Sequence, residues 1–396
     1  MNVTLLMNFV APYRIPLLER LAERVGALRV LISTPMERDR AWTPDWGTLD
    51  VVVQRTVTVR KRHEYGGGVI RGLEIHVPYD TMPRLLAARP DAVISGELGA
   101  RSLQAALYRR MRPGMPLLIW ATVSERTERN WGPLRMAVRR FILSCADGVL
   151  VNGESGARYI KRFGMPDDRI FRLNQPVDVD LFANEPRRRQ PDGTCRLLAS
   201  GMLVKRKGPH LLAEALMRWT RANPGRKVEL WWVGDGDLAD ELKAQVLPEG
   251  LSYRFFGHVA YGALPAIYAQ ADIFVLASLM DEWGLVVNEA MASGLPVLGS
   301  IHAQAVEELI SHGVEGWVFD PLDAEGFDAA IGHALDASPE QRAAMAAAAR
   351  RRIMALTPAA AAERMAHAVQ TVQAAIGSRR SRAAKLPQVA LPGNGR

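Results

Sequence analysis

The chain has 396 residues, of which 48% are hydrophobic and 23% are charged, and its formal net charge is +8. This length exceeds what one hydrophobic core normally supports, so we expect two domains with a cleft between them. The composition excludes a disordered or fibrous chain, and no uncharged apolar run reaches the roughly 18 residues that a membrane-spanning helix needs.

The amino terminus and the cysteines indicate the compartment. Residues 1–7 lead directly into a strand-like segment without a basic signal region, so we expect a cytoplasmic protein. Cys145 and Cys195 are the only cysteines, and neither has the neighbours of a metal site. We therefore interpret both as free thiols and exclude a disulfide framework and a zinc centre.

The charge is unevenly distributed along the chain. Residues 1–175 contain 27 basic and 17 acidic side chains, residues 377–396 add five basic ones, and the stretch between them is therefore acidic. A basic first half suggests an anionic partner, such as a phosphorylated acceptor or an anionic membrane face. The alternative is a solvated, arginine-rich surface. A nucleic-acid partner is not expected, because the second half is acidic and no binding motif is present.

Apolar strand-like runs alternate with amphipathic helical patterns, which indicates parallel sheets covered by helices on both faces. In the first half the pattern predicts strands at 3–9, 28–33, 92–95, 116–121 and 148–152, with helices at 15–25, 101–111 and 134–145.

The alternation breaks near residues 174–176 and then restarts. Strands are predicted at 197–200, 228–233, 253–256, 273–277, 296–298 and 317–319, and a helix at 209–220. We therefore predict a Rossmann-like domain over 1–175, a hinge and linker over 176–191, and a second Rossmann-like domain over 192–358. Long helices that complete the second domain follow, ending in a helix over 359–376, and residues 377–396 form a disordered basic tail.

The most informative segment is 278–297, where a strand leads into a loop and Gly284 begins a helix. The free N–H groups of Gly284, Leu285 and Val286 would then form an anion site at the carboxyl ends of the strands. Glu289, one turn further along, could accept hydrogen bonds from the two hydroxyls of a ribose. Alternatively, it is an acid that suits the helix dipole.

A second segment, 200–210, follows a strand, precedes a helix and contains Lys205, Arg206 and Lys207. Cations at this place can stabilise the charge that develops on a departing diphosphate. A solvated basic turn is the alternative.

Segment 278–297 resembles the Glu-x7-Glu motif of family 4 retaining glycosyltransferases, and the resemblance extends over about residues 1–370. It implies the GT-B fold, in which two doubly wound α/β domains face a central cleft. It also implies that Glu289 holds the donor ribose. The first acid of the motif falls on Asp281, and Glu282 stands where relatives carry proline, so either carboxylate could contact the transferred sugar.

Two further segments are similar to donor-site loops of that family. Lys207 matches a lysine that grips the diphosphate, whereas the usual arginine is replaced by Met202. Arg206, or alternatively Lys205, is expected to supply the missing charge. Gly257 and His258 resemble the loop beside the nucleobase.

No metal or other cofactor is expected. Asp235 and Asp237 could be mistaken for a metal-binding Asp-x-Asp motif, but their place directly after a strand indicates a turn.

On the acceptor side, Tyr13 and Arg14 match a Pro-Tyr-Arg variant of the family's first loop. Arg14 could bind an acceptor phosphate or hydroxyl, or the loop is simply a structural corner. Ser124 and Glu125 are the candidates where many relatives carry a histidine. Arginines 135, 139 and 140 recur at helical spacing, which suits docking on an anionic surface or plain solvation.

The resemblance implies metal-independent transfer of a sugar, with retention, from a nucleoside-diphosphate sugar to an acceptor. A lipid-linked saccharide or a surface-polysaccharide precursor, such as one of lipopolysaccharide, is the expected acceptor. The enzyme would then act at the inner face of the cell membrane. The alternatives are an inactive GT-B scaffold that binds a nucleotide sugar and a GT-B sugar-nucleotide epimerase.

Overall fold

The computed structural model describes residues 1–37, 44–64, 70–128, 131–188 and 192–384. The first half contains nine strands and six helices within these residues. The strands are β1 (Asn2–Met7), β2 (Ala27–Ile32), β3 (Asp50–Val53), β4 (Thr56–Glu64), β5 (Ile70–Pro78), β6 (Ala92–Gly96), β7 (Leu117–Ala121), β8 (Gly148–Val151) and β9 (Ile170–Arg172). The helices are α1 (Ile15–Val25), α2 (Thr81–Ala88), α3 (Ala100–Met111), α4 (Pro133–Cys145), α5 (Glu154–Lys161) and α6 (Val179–Ala183).

The described part of the second half contains six strands and eight helices. The strands are β10 (Thr194–Ser200), β11 (Lys227–Val233), β12 (Leu251–Gly257), β13 (Ile273–Leu276), β14 (Val297–Ser300) and β15 (Gly316–Phe319). The helices are α7 (Pro209–Ala222), α8 (Ala239–Lys243), α9 (Leu264–Tyr268), α10 (Leu285–Ala292), α11 (Gln304–Leu309), α12 (Ala324–Asp336), α13 (Pro339–Ile353) and α14 (Pro358–Ala384).

The two halves form two parallel sheets, so the prediction of two doubly wound α/β domains is confirmed. The first sheet has the strand order β3-β2-β1-β6-β7-β8-β9, and the second has the order β12-β11-β10-β13-β14-β15. Central strands such as β7 are buried along their whole length because helices cover both faces of each sheet. In each sheet the strand order reverses beside the first strand, between β1 and β6 and between β10 and β13. A doubly wound sheet binds its ligands at the carboxyl ends of the strands at such a point.

The last helix corrects one expectation. The helical stretch after residue 337 was predicted to complete the second domain, but α14 packs its alanine and methionine side chains into the core of the first domain. Ala362, Met365 and Val369 lie there beside Leu17 and Leu21 of α1. The helix also continues to Ala384, beyond the predicted end at residue 376. Residues 385–396 of the predicted tail, and 189–191 of the predicted linker, lie outside the described residues.

A second correction concerns α4 and its predicted row of arginines. Arg139 is 1% exposed and forms an ion pair with Glu128, and its guanidinium also donates to the hydroxyl of Tyr159. The Arg135 guanidinium lies over the ring of Trp131. Arg139 is therefore a structural residue and cannot face a membrane. Among the described residues, none of the helices is long and apolar enough to cross a bilayer.

Candidate active site

A cavity of about 600 Å³ lies between the two domains, at the carboxyl ends of the strands of both sheets. The structure brings most of the predicted site residues to its wall. From the second domain these are Arg206, Lys207, His258, Asp281, Glu282, Gly284, Leu285, Val286 and Glu289, and from the first domain Tyr13 and Arg14.

The wall of the cavity includes the start of α10, as the sequence predicted. Gly284 has φ +97°, a left-handed conformation that side chains other than glycine rarely adopt, and α10 begins at the next residue. Leu285 and Val286 lie in the first turn and line the cavity. Because the first N–H groups of a helix have no partner within it, this turn presents donors to an anion.

Lys207 and Asp281 form an ion pair at the edge of this anion site. Their side chains are only 18% and 13% exposed, so the pair is shielded from solvent. Burial alone would raise the pKa of Asp281, but the positive charges of Lys207 and Arg206 outweigh it and lower that pKa below its ordinary value. Asp281 is therefore ionised at neutral pH. Lys207, which contacts it, presents its positive charge at the cavity wall.

The turn that carries Lys207 is fixed by close backbone packing. Gly208 has φ +68° and precedes α7, and a Cβ atom there would lie 2.1 Å from the carbonyl oxygen of Ala277. The carbonyl of Arg206 accepts a hydrogen bond from the N–H of Leu279 at 2.9 Å. The basic turn is thus attached to the loop after β13, the loop that also carries Asp281.

Glu289 is 4% exposed and lies on the first turns of α10, where it lines the cavity. The hydroxyl of Tyr268 donates a hydrogen bond to its Oε2 atom at 2.9 Å. Burial raises the pKa of Glu289 to about 7, and the hydrogen bond from Tyr268 opposes this rise only in part. The carboxylate can accept further hydrogen bonds, and a ligand hydroxyl in the cavity would favour its ionised form.

This shifted pKa predicts a pH dependence of stability. The unfolded chain loses the Glu289 proton near pH 4.5 and the folded chain near pH 7, so the free energy of unfolding contributed by this group falls as pH rises between these values. Above about pH 7 the contribution stays constant. We expect Glu289→Gln to remove this part of the pH dependence, measured as the difference in melting temperature from the unsubstituted chain at pH 5, 6, 7 and 8.

Tyr268→Phe provides the control for this measurement. It removes the hydrogen bond that favours the carboxylate, so the fall in stability should extend to higher pH rather than disappear. A difference between Glu289→Gln and the unsubstituted chain that is constant with pH would contradict the prediction.

Backbone hydrogen bonds fix the positions of Glu282 and of the loop that was predicted to lie beside the nucleobase. The backbone carbonyl of Glu282 accepts hydrogen bonds from the amides of Asn152, at 3.3 Å, and Gln304, at 2.6 Å. His258 lines the cavity, but Gly257 does not. Gly257 instead accepts the N–H of Gly234 at 2.8 Å and so joins two loops of the second domain.

On the acceptor side, Tyr13 and Arg14 line the cavity, and the guanidinium of Arg14 lies 4.8 Å from the ring centroid of Trp120. The structure does not bring Ser124 and Glu125 to this cavity. Ser124 is buried and its hydroxyl accepts the N–H of Thr127 at 3.0 Å. Glu125 forms ion pairs with two arginines of α5 and its following loop. Thr127, from the same loop, lines the cavity in their place.

Sequence reasoning missed the backbone contributions of Gly201 and Gly234, which both line the cavity. A Cβ atom on Gly234 would lie 2.1 Å from the carbonyl oxygen of Gly201, so the loops after β10 and β11 can approach only because this residue is glycine. The available signal was a glycine directly after the strand predicted at 228–233.

The Asp235–Asp237 segment forms a turn in which the carboxylate of Asp235 accepts the N–H of Gly236 at 2.8 Å. Within the part of the chain that the structure describes, no group of three or more histidine, cysteine, aspartate or glutamate residues could hold a metal ion. Metal independence remains a prediction.

Comparison with known proteins gives a family match for the second-domain wall of this cavity. Residues 183–352 match the family of glycosyl transferases group 1. This region belongs to that family. The group 1 region contains α10, the Lys207 turn and His258, and therefore nearly the whole second-domain wall of the cavity.

Solved structures establish the fold over almost the whole chain. HepE from Anabaena in complex with UDP has a TM-score of 0.66 and 18% identity, with 96% of this chain and 100% of that chain covered. The lipopolysaccharide outer core galactosyltransferase WaaB has a TM-score of 0.70 and 14% identity, with 94% and 99% covered. The expected GT-B fold is thus confirmed.

Several characterised proteins are also similar to this chain in sequence. A GDP-mannose-dependent alpha-mannosyltransferase of Mycolicibacterium smegmatis is 29% identical over 328 residues, which are 80% of this chain and 78% of that protein. The lipopolysaccharide core biosynthesis glycosyltransferase LpsE of Rhizobium meliloti is 35% identical over 34% of this chain and 38% of its own. Matches to a mannosylfructose-phosphate synthase and to glycogen synthases cover 30% and 40% of those proteins' lengths.

Proposed function

We propose that this chain is a glycosyltransferase that moves a sugar from a nucleoside-diphosphate sugar to an acceptor with retention of anomeric configuration. The observation that carries the proposal is the convergence of Lys207, Asp281 and the free amino end of α10 on one cavity wall. This arrangement suits a diphosphate that gains negative charge as it departs, because fixed donors stabilise such charge without reorganisation.

The diphosphate lies against Arg206, Lys207 and the N–H groups of the first turn of α10, and Glu289 binds the ribose. Asp281 faces the transferred sugar, and its contact with Lys207 beside the proposed diphosphate position favours it over Glu282. Arg206 rather than Lys205 supplies the charge absent at Met202, since Arg206 lines the cavity with its guanidinium 3.9 Å from the Met202 sulfur.

In the proposed reaction the bond between the anomeric carbon and the diphosphate oxygen breaks, and the acceptor oxygen forms a new bond to that carbon from the same face. The acceptor proton passes to the departing phosphate oxygen. The protein's part is to hold the two substrates and to stabilise the diphosphate charge. The relatives support a nucleoside-diphosphate sugar as the donor, since HepE structures contain UDP and UDP-glucose and the mycobacterial relative is GDP-mannose-dependent.

A panel of UDP-glucose, UDP-galactose and GDP-mannose tests the proposal. We expect one donor to raise the melting temperature and to release its nucleoside diphosphate slowly in water. Binding without turnover, with or without sugar acceptors, would favour an inactive scaffold. Conversion of the donor to an epimer would favour the epimerase, and both outcomes would contradict the proposal.

The acceptor we propose is a lipid-linked saccharide or polysaccharide precursor at an anionic membrane face. Supporting observations are the excess of basic residues in the first half of the sequence and the exposure of Leu134 and Arg140 on α4, where Leu134 is 78% exposed. An anionic leaflet attracts each well-placed cation by about 1 kcal/mol. The roles of LpsE in lipopolysaccharide core biosynthesis and of WaaB in the outer core are consistent with this acceptor class.

Vesicle co-sedimentation measures this association. We expect binding to phosphatidylglycerol vesicles at low salt, release at high salt because the charges are screened, and little binding to phosphatidylcholine vesicles. Arg140→Glu should weaken binding, whereas Arg221→Glu on α7 of the second domain should not. Equal binding to neutral vesicles, or none to anionic vesicles at low salt, would indicate a soluble acceptor.

We also predict that the reaction does not need a divalent metal ion. Transfer should persist in excess EDTA, because Lys207, Arg206 and the start of α10 supply the positive charge that a divalent cation supplies elsewhere. Initial rates with and without EDTA check this. Loss of activity that magnesium or manganese restores would show that the diphosphate needs a metal.

A further inference from the structure

Two non-glycine residues have positive φ within the described part of the chain, Arg89 at +45° and Glu97 at +66°. Arg89 ends α2, and its N–H bonds to the carbonyl of Leu85, which is an ordinary use of the left-handed conformation at a helix end. Glu97 follows β6 directly, and no helix ends there. A strained residue outside such a turn persists only when its surroundings hold it, and such residues cluster at functional sites.

Three contacts hold Glu97 in this conformation. Its N–H donates to the carbonyl of Trp120 at 2.9 Å, and its carbonyl accepts the hydroxyl of Ser102. The hydroxyl of Thr122 donates to its Oε1 atom at 2.5 Å. The Oε2 atom accepts no hydrogen bond from the residues that the structure describes, and the side chain is partly exposed. One carboxylate oxygen is therefore oriented by the protein and the other is available to a ligand.

The sheet order places Glu97 at the carboxyl ends of the strands of the first domain, beside the loops that reach the cavity. β6 lies between β1 and β7 at the point where the strand order reverses, which is where doubly wound sheets bind ligands. The loops after β1 and β7 reach the cavity through Arg14 and Thr127. Arg14 also contacts the ring of Trp120, the residue whose carbonyl holds the N–H of Glu97.

The buried side chain of Arg101 lies next to the same strand ends. Arg101 donates to Asn8, at 3.2 Å, and to Ser33, at 2.7 Å, which follow β1 and β2. Its charge attracts that of Glu97. The carboxylate thus belongs to a group of polar side chains at the ends of several strands.

We propose that Glu97 is an acceptor-binding residue whose carboxylate accepts hydrogen bonds from hydroxyl groups of the acceptor sugar. This inference rests on the proposed glycosyl transfer and adds the residue that recognises the second substrate. Glu97 lies directly after β6, at the same edge of the sheet as the loops that carry Arg14 and Thr127 to the cavity. An acceptor that extends from the cavity along this edge would meet its carboxylate.

Glycine substitutions can separate the backbone strain at Glu97 from the role of its carboxylate. Glu97→Gly removes the carboxylate and relieves the strain, whereas Arg89→Gly relieves strain at a helix end and serves as the matched control. Glu97→Gln keeps the strain and the shape but removes the charge. Each full-length variant is assayed for melting temperature, for donor hydrolysis in water, and for transfer to octyl glycosides of glucose, galactose and mannose.

We expect both glycine variants to melt about 1 to 4 °C higher than the unsubstituted chain. Donor hydrolysis should stay within about twofold in all three variants. Transfer to the octyl glycoside that serves as the best acceptor should fall about tenfold or more in kcat/KM for Glu97→Gly and by less for Glu97→Gln, and it should not change for Arg89→Gly.

The outcomes separate this inference from the proposed function. Transfer by Glu97→Gly equal to that of the unsubstituted chain would overturn the inference alone. A lower melting temperature with parallel losses of hydrolysis and transfer would assign Glu97 a structural role and would also overturn it. An unsubstituted chain that turns over no nucleotide sugar would contradict the proposed function and the inference together.

Discussion

Lys207→Ala is expected to reduce turnover by at least about a hundredfold, which is the usual scale for losing one charge contact made in a transition state. The lysine lies on the cavity wall in contact with Asp281, so the substitution removes the cation and leaves a buried carboxylate without its partner. Steady-state rates of nucleoside-diphosphate release, at saturating donor, measure the effect.

Lys205→Ala is the matched control. Lys205 belongs to the same turn but is exposed and does not line the cavity, so its loss should change the rate by no more than about twofold. Unchanged kinetics in a folded Lys207→Ala variant would place the diphosphate elsewhere in the cleft.

Gly208→Ala should be among the most destabilising single substitutions in the chain. The new Cβ atom would lie 2.1 Å from the carbonyl oxygen of Ala277, so either the turn or the end of β13 must move. We expect a loss of about 4 kcal/mol or more in the free energy of unfolding, together with loss of donor binding, because the same turn carries Lys207. Denaturant unfolding and donor-induced thermal shift measure the two effects.

Gly225→Ala isolates the conformational part of that cost. Gly225 also has positive φ, at +85°, but nothing lies within 4 Å of the position its Cβ would occupy. Its substitution should therefore cost only about 1 to 2 kcal/mol. Equal losses for the two glycines would mean that the backbone near Ala277 adjusts freely.

The architecture could be predicted from the sequence because the elements that form it are locally encoded. Apolar strands such as β7 and β8 are buried on both faces and read as continuous hydrophobic runs, and the helices between them have apolar faces. The hairpin β4–β5 was missed for the opposite reason. Residues 56–60 alternate polar and apolar side chains over only a short stretch, and Val57, Thr58, Val59 and Arg60 are all exposed, so this part of β4 contributes no buried apolar face.

The second-domain wall of the cavity was predictable because it consists of backbone geometry next to a few charges. Gly284 before a helix and Lys207 after a strand are short-range patterns, and the structure brings both to one cavity. The first-domain wall depends on long-range packing. Nothing local distinguishes Ser124 from Thr127, which alone of the two lines the cavity. Nothing local indicates either that Arg139 is buried beside Glu128.

The position of α14 has a consequence for the order in which the protein acquires its structure. Its side chains belong to the core that lies on α1 and β1, so residues 361–372 complete a domain whose other parts were synthesised first. Domains generally fold as they leave the ribosome, starting at the amino terminus. In this chain the core of the first domain cannot be completed until the second domain and α14 have been synthesised. The apolar surface of α1 stays uncovered until then. The emerging chain is therefore most exposed to aggregation and proteolysis at the end that was synthesised first.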